Sequence, residues 1–174
     1  METQLRLETA RLELVPFSGE LIGVLGDRLS TARVIGADVP EGWPDDQLSE
    51  LLRVYAPWIA EDPARLGFGP WIVIAREEGS VVGSAGFLET PKEDKAIELG
   101  FGIHPRFRNR GYAAEAARRL VEWGLAQPSV EKIVARCDPS NAASIRVLEK
   151  VGMNRVGHVE ELLLWEARRA GAGW

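Results

Sequence analysis

At 174 residues, 45% of them hydrophobic and 27% charged, the chain has the apolar content for one domain-sized core, which excludes a disordered or low-complexity protein. The formal net charge of −5 gives no support to polyanion binding by whole-chain attraction, so any basic site has to be local. Cys137 is the single cysteine, which excludes an intrachain disulfide and a cysteine-based zinc site, and the two histidines, His104 and His158, have no metal-ligand spacing.

The N-terminal METQLRLETARLELV mixes charge with apolar residues and lacks the uninterrupted apolar stretch of a signal peptide. No run approaches membrane-spanning length, so a soluble, cytoplasmic protein is expected. Residues 11–16, RLELVP, alternate at period two and predict a first strand. Helical spacing predicts one helix over 20–29, and Pro44-Asp45-Asp46 is a start signal for another over 47–60, with Leu48, Leu51, Leu52, Tyr55 and Ile59 on one face. The GADVPEGWP segment between them is rich in turn residues and is expected to be mobile. WIVIAR (71–76) and VVGSAGFL (81–88), joined across Glu-Glu-Gly-Ser, predict a hairpin. A strand over 96–104, a helix over 113–126, a strand over 132–137, a helix over 142–150 and strands over 155–160 and 162–167 complete the chain. No repeat or linker interrupts this order, so a single domain over 1–174 is expected, an α/β (α+β) sandwich with a mostly antiparallel sheet.

The strand AIELGFGIH puts Ile97, Leu99, Phe101 and Ile103 on one face and Ala96, Glu98, Gly100, Gly102 and His104 on the other. The two glycines either admit a group close to the backbone or mark a bulge. RNRGYAAEAARRL, 108–120, follows at once. Gly111 lies among Arg106, Arg108 and Arg110, just before a helix whose first turn has free N–H groups. It either clears room for a phosphate at the positive helix end or serves turn geometry in a solvated basic loop. Along that helix Ala113, Ala117, Leu120, Val121 and Gly124 form the expected buried stripe, with Glu115–Arg119 and Arg118–Glu122 as outward i,i+4 pairs. Gly100-x-Gly102 lacks the third glycine of a dinucleotide fingerprint, and no P-loop occurs.

Arg108-Asn109-Arg110-Gly111-Tyr112-Ala113 matches the Arg/Gln-x-x-Gly-x-Gly/Ala signature of the Gcn5-related N-acetyltransferases (GNAT), between a strand and a long helix as in that family. ELGFGIHPRFRNRGYAAEA, DPSNAASIRVLEKVGM, ARLELVPF and WIVIA resemble its ribosomal-protein-alanine-acetyltransferase-like (RimJ/RimL-type) branch. The resemblance spans nearly the whole chain and is weakest over 18–66. It implies a GNAT fold, a central mostly antiparallel mixed sheet flanked by helices and splayed where AIELGFGIH and KIVARC run parallel and diverge. Acetyl-CoA would lie in that cleft as cosubstrate, with no metal. Its pyrophosphate would take the N–H groups of Arg108, Asn109, Arg110, Gly111, Tyr112 and Ala113, and Phe101, Ile103 and Asn141 complete the implied coenzyme site. The implied partners are acetyl-CoA and an amine acceptor, with neither nucleic acid nor membrane, in a monomer or homodimer.

A protonated amine cannot attack a thioester, so acetyl transfer needs a base. Glu98 is the candidate, either as that base or as the partner of a basic neighbour. Many relatives carry a tyrosine acid seven residues after the asparagine of the second motif, whereas here Leu148 stands at that distance from Asn141. In the branch this chain resembles, a serine three residues after the asparagine faces the coenzyme sulphur. Ser144 occupies that place, where a hydroxyl, a weaker acid than a thiol, either donates a hydrogen bond to the sulphur or is an ordinary first-turn serine. Asn141 either holds the pantetheine arm or caps its helix. His104 and Cys137 read as structural. Asp38, Glu41, Trp43, Asp45 and Asp46, followed by Tyr55 and Trp58, combine acid and aromatic groups and favour a cationic amine or peptide N-terminus as acceptor. A non-catalytic CoA-binding or sensing module is the alternative, which would keep the Gly111 loop without a working base.

Overall fold

The computed structural model describes residues 5–171; residues 1–4, the start of METQLRLETARLELV, and 172–174 lie outside the described residues. The apolar, period-two runs form strands β1 (Leu7–Glu8), β2 (Leu12–Pro16), β3 (Pro70–Ala75), β4 (Ser80–Phe87), β5 (Ala96–Ile103), β6 (Lys132–Cys137), β7 (Asn154–Val159) and β8 (Leu162–Arg168). They make one eight-stranded sheet in the order β1-β2-β3-β4-β5-β6-β8-β7. Every neighbouring pair is antiparallel except β5 and β6, which run parallel for three rungs only: Ala96 with Lys132, Ile97 with Ile133 and Glu98 with Val134. Past Glu98, β5 stays paired with β4 as far as Ile103, and β6 stays paired with β8 as far as Cys137. The two strands therefore part company in mid-sheet, as the family resemblance implied.

Among the described residues, five α-helices flank the sheet: α1 (Gly19–Val24), α2 (Arg28–Ile35), α3 (Asp46–Glu61), α4 (Tyr112–Ala126) and α5 (Ala142–Val151). The single helix expected over 20–29 is two, because Asp27 takes an extended conformation and its carboxylate accepts the Leu29 N–H at 3.1 Å, starting a new helix. The GADVPEGWP segment is attached to the sheet at Asp38. Asp38 N–H donates to Gly79 O and Val81 N–H to Asp38 O, each at 2.8 Å, and Val39 is buried.

Two cores result. One lies between the sheet and α4 and α5, with Trp71, Phe87, Tyr112, Leu120, Ile133 and Leu148 among its buried members. Here α4 comes close because residue 124 is glycine: a Cβ there would sit 2.9 Å from both Ile133 Cδ1 and Phe87 Cζ. The preceding residue, Trp123, packs its ring against Phe68, Trp71 and Phe87. The other core lies on the opposite face of β2–β4, under α1–α3, and contains no residue of β5–β8. That same face of β6 carries Lys132 and Val134, both half-buried, and the exposed Arg136.

The surface of α4 departs from expectation. Ala113 is half-buried, whereas Tyr112, Ala114 and Ala116 join the buried set. Neither expected i,i+4 pair forms. Glu115 binds Arg11, Arg118 donates to the Lys150 carbonyl, and Arg119 donates to the Glu8 carbonyl and lies 3.8 Å from Glu122. Long-range partners satisfy these charges better than one another, since an exposed helix pair contributes only about 0.3–0.5 kcal/mol. No helix among the described residues is long and apolar enough to cross a membrane.

Candidate active site

A cleft of about 960 Å³ runs from the start of α4 and α5 to Gly83 and Ser84 of β4 and to Phe101, Gly102 and Ile103 at the end of β5 that has left β6. At its inner end, α4 begins with Gly111 as N-cap in the left-handed region, φ 81°, and no side chain caps the first turn. Helix geometry leaves the Tyr112, Ala113 and Ala114 N–H groups without intrahelical acceptors, and all three residues line the cleft. The unmet donors and the helix dipole make this end a place for an anion.

Side chains brace that end from behind. Glu115 accepts hydrogen bonds from Thr9 Oγ1 at 2.6 Å, from Arg11 N at 3.0 Å and from Arg11 Nε at 2.7 Å. The Arg11 guanidinium lies 4.8 Å over the Tyr112 ring and donates to Arg110 O, while Tyr112 O–H donates to Glu77 at 2.6 Å. A Cβ on Gly111 would stand 3.3 Å from an Arg11 nitrogen, so glycine serves both the turn and this close packing. Arg108 Nε donates to Ile103 O at 3.0 Å, Arg110 pairs with Glu78, and Phe107 is buried beneath Arg106 and Arg110. Asn109 also has positive φ, 61°. Arg108, Asn109, Arg110, Gly111, Tyr112 and Ala113 all line the cleft, with Phe101 and Ile103 half-buried beside them.

On the facing wall, Asn141 caps α5: its Oδ1 accepts the Ser144 N–H at 3.1 Å. Ser144 is half-buried and lines the cleft, and its hydroxyl has no partner among the described residues. Gly102 on the cleft floor has open space where a Cβ would be, and Gly100 has only Leu88 Cδ2 at 3.6 Å. The alternative of a bulge is absent, since β4 and β5 pair in unbroken register from Gly83 with Ile103 to Phe87 with Leu99.

Glu98 does not line this cleft. It sits in an adjoining hollow of about 210 Å³ with Glu89, Lys92, Val134, Arg136, Val159 and Leu164. Arg136 Nε donates to its Oε1 at 2.9 Å and the terminal guanidinium nitrogen to its Oε2. Of the two roles weighed for Glu98, the pairing with a basic neighbour is present. Glu98 in turn holds the Arg136 guanidinium above its ordinary pKa by hydrogen bonding and charge.

The acidic segment divides. Trp43 and Asp45 line the cleft, Asp45 while capping α3 through the Leu48 N–H at 2.8 Å; Asp38 and Asp46 do not. Tyr55 and Trp58 belong to the second core, where burial pushes the Tyr55 phenol up to about 12. His104 links the segment to the sheet: Nε2 lies 3.0 Å from Glu41 O, and Nδ1 accepts the Arg106 N–H at 3.3 Å. The sequence reading missed Ser84, a cleft residue opposite Gly102 on β4, whose place in the alternation VVGSAGF was the available signal. Among the described residues, no cluster of His, Cys, Asp or Glu could hold a metal ion.

A sheet split along its parallel seam, with an uncapped helix N-terminus at the split, defines the architecture of a coenzyme-dependent acetyltransferase. Residues 11–154 match the acetyltransferase (GNAT) domain model, and the chain belongs to that family of N-acetyltransferases, which use acetyl-CoA. It is 32% identical over 147 residues, 84% of this chain and 88% of the relative, to the uncharacterized N-acetyltransferase YjdG of Bacillus subtilis. It is 29% identical over 164 residues, 90% of this chain and 68% of the relative, to the FsC-acetyl coenzyme A-N(2)-transacetylase of Aspergillus fumigatus. Among solved structures, the RimL ribosomal L7/L12 alpha-N-protein acetyltransferase in complex with coenzyme A shares the fold. Its TM-score is 0.67 at 14% identity, covering 94% of this chain and 98% of that one.

Proposed function

We propose that the chain acts as a single domain that moves the acetyl group of acetyl-CoA directly to a primary amine, with both substrates bound together. The observation that carries this reading is one continuous cleft joining the uncapped start of α4 to the bare glycine face of β5. The N–H groups of Tyr112, Ala113 and Ala114 and the loop Arg108–Gly111 would hold the pyrophosphate, and Phe101, Ile103 and Asn141 would border the pantetheine arm. The coenzyme supplies an acetyl thioester. The amine nitrogen bonds to the carbonyl carbon, the carbon–sulphur bond breaks, and the thiolate leaves. Glu98, at the seam on the glycine face, takes the proton the amine sheds, and Ser144 donates a hydrogen bond to the departing sulphur.

Trp43 and Asp45 favour a cation at the cleft mouth, hence a small cationic amine or a peptide N-terminus as acceptor. Thiol release from acetyl-CoA, followed against alkylamines, polyamines and peptides with free N-termini, tests the reading. Glu98→Gln should lower turnover by roughly a hundredfold at neutral pH, the deficit shrinking as pH rises and free amine becomes abundant. Ser144→Ala should lower turnover about tenfold. Acetyl-CoA consumption that no amine stimulates at any pH would sink the proposal.

A further inference from the structure

Glu98 stands at the seam, yet both of its oxygens are engaged by one guanidinium. The pair is diagonal. Glu98 occupies the last parallel rung, opposite Val134, while Arg136 stands two residues on, where β6 has already left β5. The two partners differ in freedom: the Arg136 side chain is 41% exposed and that of Glu98 only 14%. The guanidinium is therefore the member that can swing into solvent, whereas a half-buried carboxylate left without a cation is costly. Glu160 and Glu89 both act electrostatically on Arg136, Glu89 from the same hollow while paired with Lys92 at 2.7 Å, so acidic neighbours remain near it when it lets go. Between the cleft and Glu98, β5 itself contributes no side chain at Gly102 or Gly100; Gly102 is open, and Leu88 Cδ2 borders the path at 3.6 Å from where a Gly100 Cβ would be.

We propose that Arg136 is a positioning residue for the acceptor: it holds the Glu98 carboxylate at the seam until an ammonium group takes its place, so acceptor binding is an exchange of cations on Glu98. The carboxylate then stays paired throughout, and a neutral group is a poor competitor for the site. With its guanidinium side open to solvent, the pair can exchange one cation for another without leaving the carboxylate bare. The exchange deepens the acetyl-transfer reading and rests on it only for its kinetic arm.

The first test needs no turnover. In protein labelled with nitrogen-15 at arginine, saturating n-butylammonium should shift the Arg136 Nε–H resonance, and sodium chloride at equal ionic strength should not. Glu98→Gln should abolish the response. An Arg136 signal unmoved by saturating amine overturns the proposal. Kinetically, Arg136→Met should lower the acceptor KM by roughly two- to fivefold and leave that for acetyl-CoA unchanged, with Arg136→Lys in between. The gain should vanish in the Glu98→Gln background. A raised acceptor KM, or equal changes in both KM values, would show a merely structural pair and overturn the exchange. If the parent acetylates no amine, the acetyl-transfer reading fails, and the resonance experiment still decides the exchange.

Discussion

The two halves of the sheet are built to different standards. From β2 to β4 both faces are covered, by α4 on one side and α1–α3 on the other, and β3 is buried at all six positions. From β6 to β8 one face lacks such a core: β6 alternates buried with half-open positions, and no residue of β7 is fully buried. Stability is concentrated in the first half. The second half leaves one face open beside the seam, and the residues of the proposed chemistry lie near the line between the two halves.

The sharpest way to break this contrast is to empty one site in each half. Trp71, fully buried against Trp123, should cost about 3–5 kcal/mol of unfolding free energy as Trp71→Ala. Val156, 52% exposed on β7, should change it by no more than about 0.5 kcal/mol as Val156→Ala. Urea titrations giving equal losses would erase the distinction.

At the boundary, Gly111→Val forces a β-branched residue into φ 81° with its Cβ toward the Arg11 guanidinium. Strain of about 1–3 kcal/mol at the anion site should weaken acetyl-CoA binding roughly tenfold or more. Calorimetry showing unchanged affinity in a folded variant would leave the α4 terminus without a role in coenzyme binding.

The smallest effect concerns the brace that fastens this boundary to the covered half. Burial works to raise the Glu115 carboxyl, but hydrogen bonds from Thr9, the Arg11 backbone and the Arg11 guanidinium outweigh it and hold the pKa below its ordinary 4.5. With the folded pKa depressed, the stabilisation is full above the unfolded value and is lost as pH falls through the folded one. Glu115→Gln should therefore cost about 1 kcal/mol at neutral pH, a modest figure because the pair is partly solvated. Thermal scans should show variant and parent converging as pH drops below 4.5. A difference that persists in acid would mean that packing, not charge, is what Glu115 supplies.

What was legible in the sequence was what short-range periodicity encodes. The strand 132–137 was read to the residue, and the glycine face of 96–104 followed from alternation alone. Whatever depended on register between distant strands stayed hidden. Glu98 could be placed on a face, but its partner Arg136 is fixed by the parallel pairing of Glu98 with Val134. Glu115 was matched with Arg119 because the i,i+4 rule sees only the helix, whereas the β1–β2 turn brings in Arg11 from 104 residues away. The split between α1 and α2 had a local signal, Asp27 with Ser30 three residues on, masked by an apolar spacing that reads as one continuous helix.

The three rungs between β5 and β6 also bear on how the molecule opens. The ladders on either side of them, β4–β5 and β6–β8, have five and six rungs; the seam has three, joining residues 96–98 to 132–134 across the whole of α4. A brief ladder between two longer-paired blocks holds with fewer hydrogen bonds than its neighbours and should open before them. The amides of Ile133 and Val134 should therefore exchange with solvent through partial opening, while those of β3 wait for global unfolding. The notch proposed to take both substrates is then also the line along which the sheet should first come apart.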